Sequence, residues 1–253
     1  MSGHIGARMA ELHSVDVAAV ERLSRGSSVE LGVRKNVHSW LPPARGVLAL
    51  PGITPAIRKE LDLDLFQSKW ESYMKWLRDT RVDARPVFCH NDAQYGNILR
   101  LNKATEGVPD HHQIIVVDFE YASPNPAAFD IANHFHEWTT NYHSSTPHVL
   151  DQARYPSRAE RRTFFTAYLA NRATSDAPAF ADLSPAARER ELAELEKTVR
   201  AWSPSSHAMW AVWGLVQARE DVQARIAQPE FDYVSYARCR MAAFYRELAA
   251  LGL

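Results

Sequence analysis

Three short runs in this chain have the composition of buried β-strands, and all of them fall between residues 86 and 119: "VFCH", "ILRL" and "QIIVVDF". Apolar, β-branched stretches of that length read as strands rather than as pieces of helix. So few strands cannot enclose a core of their own, so helices must cover them. The rest of the chain supplies helices. Ile5, Met9 and Leu12 share one face of a predicted helix over residues 5 to 12. Thr54 followed by Pro55 starts another, with Ile57, Leu61, Trp70, Tyr73 and Leu77 as its apolar stripe to about Asp79. Further helices are expected over 127–141, 157–172 (Ser157 and Glu160 as a capping box), 185–201, 206–222 and 231–250. Residues 24–53 are rich in Gly, Ser and Pro without a sustained period and are expected to form an irregular connection. The expected class is mainly α with a small β element.

The polar residues of "HNDAQYGN" sit between the first two strands. His90, Asn91, Asp92, Gln94 and Asn97 fall within eight positions. Asp92 and Asn97 have the spacing of Asp and Asn in a kinase catalytic loop, H-R-D-L-x-x-x-N. Phosphoryl transfer needs a carboxylate against the acceptor hydroxyl and a neutral oxygen ligand for magnesium close by. A second acidic residue completes the metal site, and Asp118 ends the apolar run "IIVVD". A polar strand-loop-strand turn is the alternative reading of the loop alone. The loop and the Asp-Phe strand together favour the chemistry.

The stretches "HNDAQYGNIL" and "IIVVDFEYASPNPAAFDIANHFHEW" resemble the choline/ethanolamine kinase family. The first is similar to a motif shared among small-molecule kinases. The second, with Asp118, Glu120, Tyr121, Asn125, Asp130, Asn133, His134, Glu137 and Trp138 in register, is similar to one particular to that family. The resemblance runs from about Ile5 to Tyr245. It implies a protein-kinase-like fold and, for residues 1–253, the C-terminal large lobe of the choline kinase type. Within it, 86–142 would carry the catalytic and metal-binding motifs and 205–245 the aromatic choline-binding segments. Asp92 would be the base on the substrate hydroxyl, with Gln94 beside the reacting groups. Asn97 and Asp118 would hold Mg2+ against the phosphates of ATP. His90 would brace the loop, Glu137 would face the substrate cation, and Tyr142 would follow it. Asp130 and Asn133 are open to either a structural or a functional reading.

Trp210 and Trp213 are three apart in "SHAMWAVWGLVQ", as are Tyr233 and Tyr236 in "FDYVSYARCR", so each pair shares a helix face. Helix-spaced aromatics by themselves read more readily as core. A quaternary ammonium, however, is best met by aromatic faces and a nearby carboxylate. The resemblance selects that second reading. It implies a box of Tyr121, Trp210, Trp213, Tyr233 and Tyr236 with Phe231 at its edge, and Tyr233 favours choline over ethanolamine.

Composition narrows the partners. Lys and Arg number 29 against 30 Asp and Glu, a formal charge of -1, which argues against nucleic acid. Cys89 and Cys239 are expected to be free core thiols of a cytoplasmic protein. No apolar run approaches the length of a membrane span, and no leader is evident at the N-terminus. His134 and His136 are two apart and do not share a helix face, so zinc is not expected there. His111 and His112 need no role, and "RERELAELEK" reads as a solvated helix face. No G-x-G occurs, and Lys35, Lys59, Lys69 and Lys75 lack a strand context resembling V-A-I-K. The nucleotide-binding small lobe is therefore expected to be absent from this chain. The implied reaction is ATP-dependent phosphorylation of choline, and also of ethanolamine, to feed phospholipid synthesis. An inactive choline-binding or regulatory protein and an ethanolamine kinase are the alternatives, and the resemblance admits a homodimer.

Overall fold

The computed structural model describes residues 1–17, 30–80, 82–83, 85–103, 106–173 and 178–253. In chain order the helices are α1 (Ser2–Leu12), α2 (Gly32–Leu48), α3 (Pro55–Glu60) and α4 (Leu63–Asp79). Four short strands follow: β1 (Pro86–Cys89), β2 (Ile98–Arg100), β3 (Ile114–Val116) and β4 (Ser123–Pro126). The chain then returns to helix as α5 (Ala127–Glu137), α6 (Arg158–Asn171), α7 (Pro185–Gln217), α8 (Arg219–Ala224) and α9 (Tyr233–Ala250). Two compact units result. The first holds Met1–Leu31, Asp83–Trp138 and Tyr155–Arg200; the second holds Gly32–Val82, Thr139–Arg154 and Ala201–Leu253. Among the described residues no helix is long and apolar enough to cross a membrane.

In the first unit, α1 lies against α6. A Cβ on Gly6 would stand 2.5 Å from the Phe164 carbonyl oxygen, so glycine is what allows that approach. The face of α6 that meets it is Phe164, Phe165, Tyr168 and Leu169, all buried. The predicted capping box is present at the start of α6, with Ser157 and Glu160 bonded in both directions. The strands form two antiparallel ribbons. Cys89 of β1 pairs with Ser123 of β4, and Ile98 of β2 pairs with Val116 of β3. β4 is an addition to the expected strands, its "SPNP" sequence lacking any strand pattern. β3 stops at Val116 rather than running through Phe119, because Asp118 turns into the left-handed region at φ 65°. The "RERELAELEK" stretch is solvated apart from Leu192, as expected, and Arg161 and Arg162 of α6 pair with Glu196 and Glu189 on it.

In the second unit the core forms around α4. Phe66, Trp70, Tyr73 and Leu77 are buried, with the Phe66 ring 5.3 Å from that of Phe244 on α9. The expected irregular connection over 24–53 is corrected where it is described: residues 32–48 are helix α2. Val33, Val37, Leu41, Ala44, Val47 and Leu48 carry a helical period into the core. Pro42 and Pro43 disguise it. They leave the carbonyls of His38 and Ser39 without helix donors, but both residues are exposed, so water can serve those groups. The end of α2 is closed from outside: Arg58 of α3 donates to the carbonyls of Leu48, at 2.7 Å, and Leu50, at 3.0 Å.

The single helix expected from Thr54 to Asp79 is two. Thr54 caps α3 as predicted, and Asp62 caps α4 through bonds from the Asp64 and Leu65 amides. Conversely, the helices expected over 185–201 and 206–222 are joined in α7, which passes through Pro204. Next to the carbonyl that Pro204 deprives of a donor, the Ala201 carbonyl accepts from Tyr73 Oη at 2.6 Å. The helix expected to reach residue 141 ends at Glu137. Cys89 is a buried free thiol, as expected, while Cys239 is free but only half-buried.

Candidate active site

The loop between β1 and β2 is held by its backbone. Asp130, in the first turn of α5, accepts from the His90 amide through Oδ2 and from the Asn91 amide through Oδ1, both at 2.8 Å. One turn on, Asn133 Nδ2 donates to the Asn91 carbonyl at 2.9 Å, and His134 Nδ1 donates to the Ala93 carbonyl at 2.7 Å. These three residues share one face of α5, which explains the i, i+3, i+4 spacing in the sequence. Asp130 and Asn133 therefore have a structural role, and His134 joins them. His13 adds a third bond to Asp130, at 3.0 Å, and meets Tyr168 Oη at 2.9 Å on its other nitrogen. No sequence signal singled out His13 or Tyr168.

Asn91 sits at φ 65°, a conformation that Asn tolerates better than most residues. Its side chain accepts from Asn125 Nδ2 at 2.9 Å and donates to the Tyr121 carbonyl and Ser123 Oγ, each at 2.8 Å. Asn91 thus locks the loop to β4. His90 braces the loop as expected: Nε2 donates to the Val117 carbonyl at 2.9 Å, leaving Nδ1 to accept from the Asp92 amide at 3.2 Å.

This scaffold presents Asp92. Asn97 Nδ2 donates both to the Asp92 carbonyl and to its carboxylate Oδ2, at 2.9 Å each. The Asn97 carbonyl in turn accepts from the Val117 amide at 3.0 Å, which tethers the backbone one residue before Asp118. Gln94 is turned toward the loop itself: its Oε1 accepts from the Gly96 amide at 2.7 Å and caps the turn Tyr95–Asn97. Burial pushes the Asp92 carboxyl up to about 8, with Glu137, Asp118 and Glu120 adding in the same direction against the Asn97 hydrogen bond. Glu137 is buried at the end of α5, while Asp118 and Glu120 are exposed.

The donor set suits a hard divalent cation. Asn97 offers an amide oxygen whose nearest bonded donor, Gln94 Nε2, stands off at 3.4 Å. Asp118 offers an exposed carboxylate, and the surrounding acidic groups make the locality negative. All-oxygen ligands with one or two carboxylates are what Mg2+ takes from a protein.

The second unit holds the aromatic cluster. The Trp210 and Trp213 rings are 5.1 Å apart, nearly perpendicular, and Trp213 lies 5.6 Å from Tyr233 and 6.0 Å from Tyr236. Phe231 touches both tyrosines, at 4.8 and 5.5 Å, and Tyr142 stands 6.4 Å from Phe231. Gly214 makes this possible, since a Cβ there would meet the Tyr236 ring at 2.9 Å. Arg240, missed in the sequence, places its guanidinium 5.0 Å over the Tyr236 ring. Six of the predicted substrate residues are thus brought together. The remaining two, Tyr121 and Glu137, belong to the first unit.

A family model described as choline/ethanolamine kinase matches residues 1–245. The chain is 32% identical over 300 residues to the choline kinase of Schizosaccharomyces pombe, covering 100% of this chain and 64% of that protein. It is 32% identical over 249 residues to probable choline kinase 1 of Arabidopsis thaliana, covering 96% and 59%. Among solved structures, the ethanolamine kinase of Plasmodium vivax matches with a TM-score of 0.68 at 20% identity, over 96% of this chain and 58% of that one. The choline kinase of Cryptosporidium parvum gives 0.68 at 20%, over 99% and 65%. These structural matches show a common, protein-kinase-like fold. The chain spans roughly three fifths of the length of the curated relatives it matches.

Proposed function

The chain belongs to the choline/ethanolamine kinase family, and from that premise we propose that it carries the phosphoacceptor chemistry of an ATP-dependent choline kinase, with ethanolamine as a second substrate. The observation that carries the reading is the Asp92–Asn97–Asp118 arrangement, in which one amide side chain holds the candidate base and its own backbone tethers the residue before the candidate metal ligand. Asp92 accepts the proton of the substrate hydroxyl as that oxygen bonds to the γ-phosphorus and ADP leaves. A carboxylate made basic by burial is well suited to that task. Asn97 and Asp118 would hold Mg2+, which when bound neutralises charge on the phosphates. Gln94 shapes the turn that presents Asn97. The aromatic cluster takes the trimethylammonium group on ring faces, at ~0.5–2 kcal/mol per good contact.

Choline is preferred in this reading because ring faces satisfy a cation that has no N–H to donate, whereas ethanolamine calls for acceptors. The test is phosphocholine formation by the purified chain with ATP and Mg2+, beside Asp92→Asn. Turnover that vanishes in the variant supports the assignment. A folded chain that binds choline without turnover would instead mean a half-site, either a truncated kinase or a protein kept for binding alone.

A further inference from the structure

Glu11 lies on the last turn of α1, and His111 and His112 lie in the turn Asp110–Gln113 that leads into β3. The two imidazoles converge on a single oxygen: His111 Nε2 is 2.8 Å and His112 Nε2 2.9 Å from Glu11 Oε1. All three donor atoms lie within 4.8 Å of one another. Adjacent residues in a chain ordinarily send their side chains apart. Here the turn brings both rings onto one carboxylate, with centroids 4.6 Å apart.

The geometry points to a second metal site in the first unit: Glu11 Oε1, His111 Nε2 and His112 Nε2 bind a divalent transition metal of the zinc class, with solvent at the fourth position. Around a four-coordinate zinc with bonds of ~2.0–2.2 Å, ligand atoms lie roughly 3.3 Å apart, so small ring rotations admit the ion. Two imidazoles and a carboxylate select zinc, cobalt, nickel or copper over Mg2+, which keeps this site chemically separate from the oxygen donors at Asp92 and Asp118. The groups are reachable, with side chains 15%, 39% and 34% exposed for His111, His112 and Glu11. His111 also lines an open cavity with His4, Asp110 and Arg162.

Arg8 pairs with the other oxygen of Glu11, Oε2, and its Nε donates to the Ile114 carbonyl at 3.0 Å. Arg8 thus orients the carboxylate with Oε1 turned to the histidines, as outer partners orient metal ligands elsewhere. Its positive charge also weakens the site, so micromolar rather than tighter affinity is expected. Bound metal would clip the end of α1 to the start of β3, the strand that precedes Asp118.

The test is titration of the full chain with Zn2+ in excess Mg2+, followed by calorimetry, and with Co2+, followed by its visible absorption. One equivalent should bind, with a melting temperature raised by Zn2+. His111→Ala with His112→Ala should weaken binding at least tenfold and abolish that rise. Glu11→Gln keeps an acceptor for both rings and should weaken Zn2+ binding while leaving the circular dichroism unchanged. Asp118→Asn should leave it intact. Binding that survives the double histidine substitution would overturn the proposal and move the ion to another cluster, such as the buried His13, Cys89 and Asp130. Absence of binding to the unaltered chain would overturn it outright.

Discussion

Asp92, half-buried, and Asp130, fully buried, are carboxylates with opposite electrostatics, and the difference separates the proposed base from a supporting group. Asp92 is pushed up to about 8 from an ordinary 3.8. The folded protein therefore keeps a proton there that the unfolded chain gives up, so this group's contribution to stability is complete below about pH 4 and declines as pH rises toward 8. Urea denaturation of metal-free protein across that interval should show the decline, and Asp92→Asn should flatten it. Asp130 behaves in the other sense. Burial would raise it, but the His13 hydrogen bond and charge, with the His90 amide, hold it below its usual value. Its stabilisation is present at neutral pH and is lost on acidification through its lowered value. Removing it leaves two loop amides and His13 without their acceptor, so Asp130→Ala should destabilise by ~3–5 kcal/mol, read from denaturant midpoints, and depress turnover through the loop.

At the scale of elements, α2 keeps two prolines mid-helix because its solvent face absorbs their cost. Proline in a helix interior is unfavourable by ~3 kcal/mol against alanine, partly offset by the entropy it removes from the unfolded chain. Pro42 is exposed, so Pro42→Ala should raise stability by about 1–2 kcal/mol in thermal or chemical denaturation. Unchanged or lower stability would mean that the break in hydrogen bonding shapes the packing of α2. Gly214 is the reverse case, a small residue that packing requires. Gly214→Ala forces a methyl into the Tyr236 ring and should cost ~1–3 kcal/mol, with a raised KM for choline. α4 and α7 show the same balance. Asp62 starts a new helix where the apolar stripe ran on, and Tyr73 helps α7 through a proline where the sequence suggested a stop.

For the whole molecule, the two units divide the proposed labour, and the division can be measured. Trp210→Ala or Tyr233→Ala, in the second unit, should raise KM for choline far more than for ethanolamine while kcat changes little. Asp92→Asn, in the first, should remove turnover and leave choline binding in place. Equal losses for both alcohols on aromatic truncation would assign those rings to the core alone. With a loss of roughly 1–2 kcal/mol per cation–π contact, the choline KM would rise about five- to thirtyfold. That dissociation between substrates is the readout a purely structural role does not produce.

The proposed chemistry at this site was legible in the local sequence because the candidate base and metal ligands are close together in the chain. Asp92 and Asn97 are joined by a short turn, and the apolar strand just before Asp118 pairs with the strand that leaves that turn. Helix faces with uninterrupted periods were legible for the same reason, as was the capping box of α6. What tertiary structure decided depends on partners distant in sequence. β4 is a strand because β1 pairs with it, and α2 is a helix because its buried face outweighs its prolines. His13 and Tyr168 reach the loop anchor, and Arg240 the aromatic cluster, through contacts that no local pattern announces. A hydrogen bond or a buried face stabilises whatever it touches, and only the folded chain determines what that is.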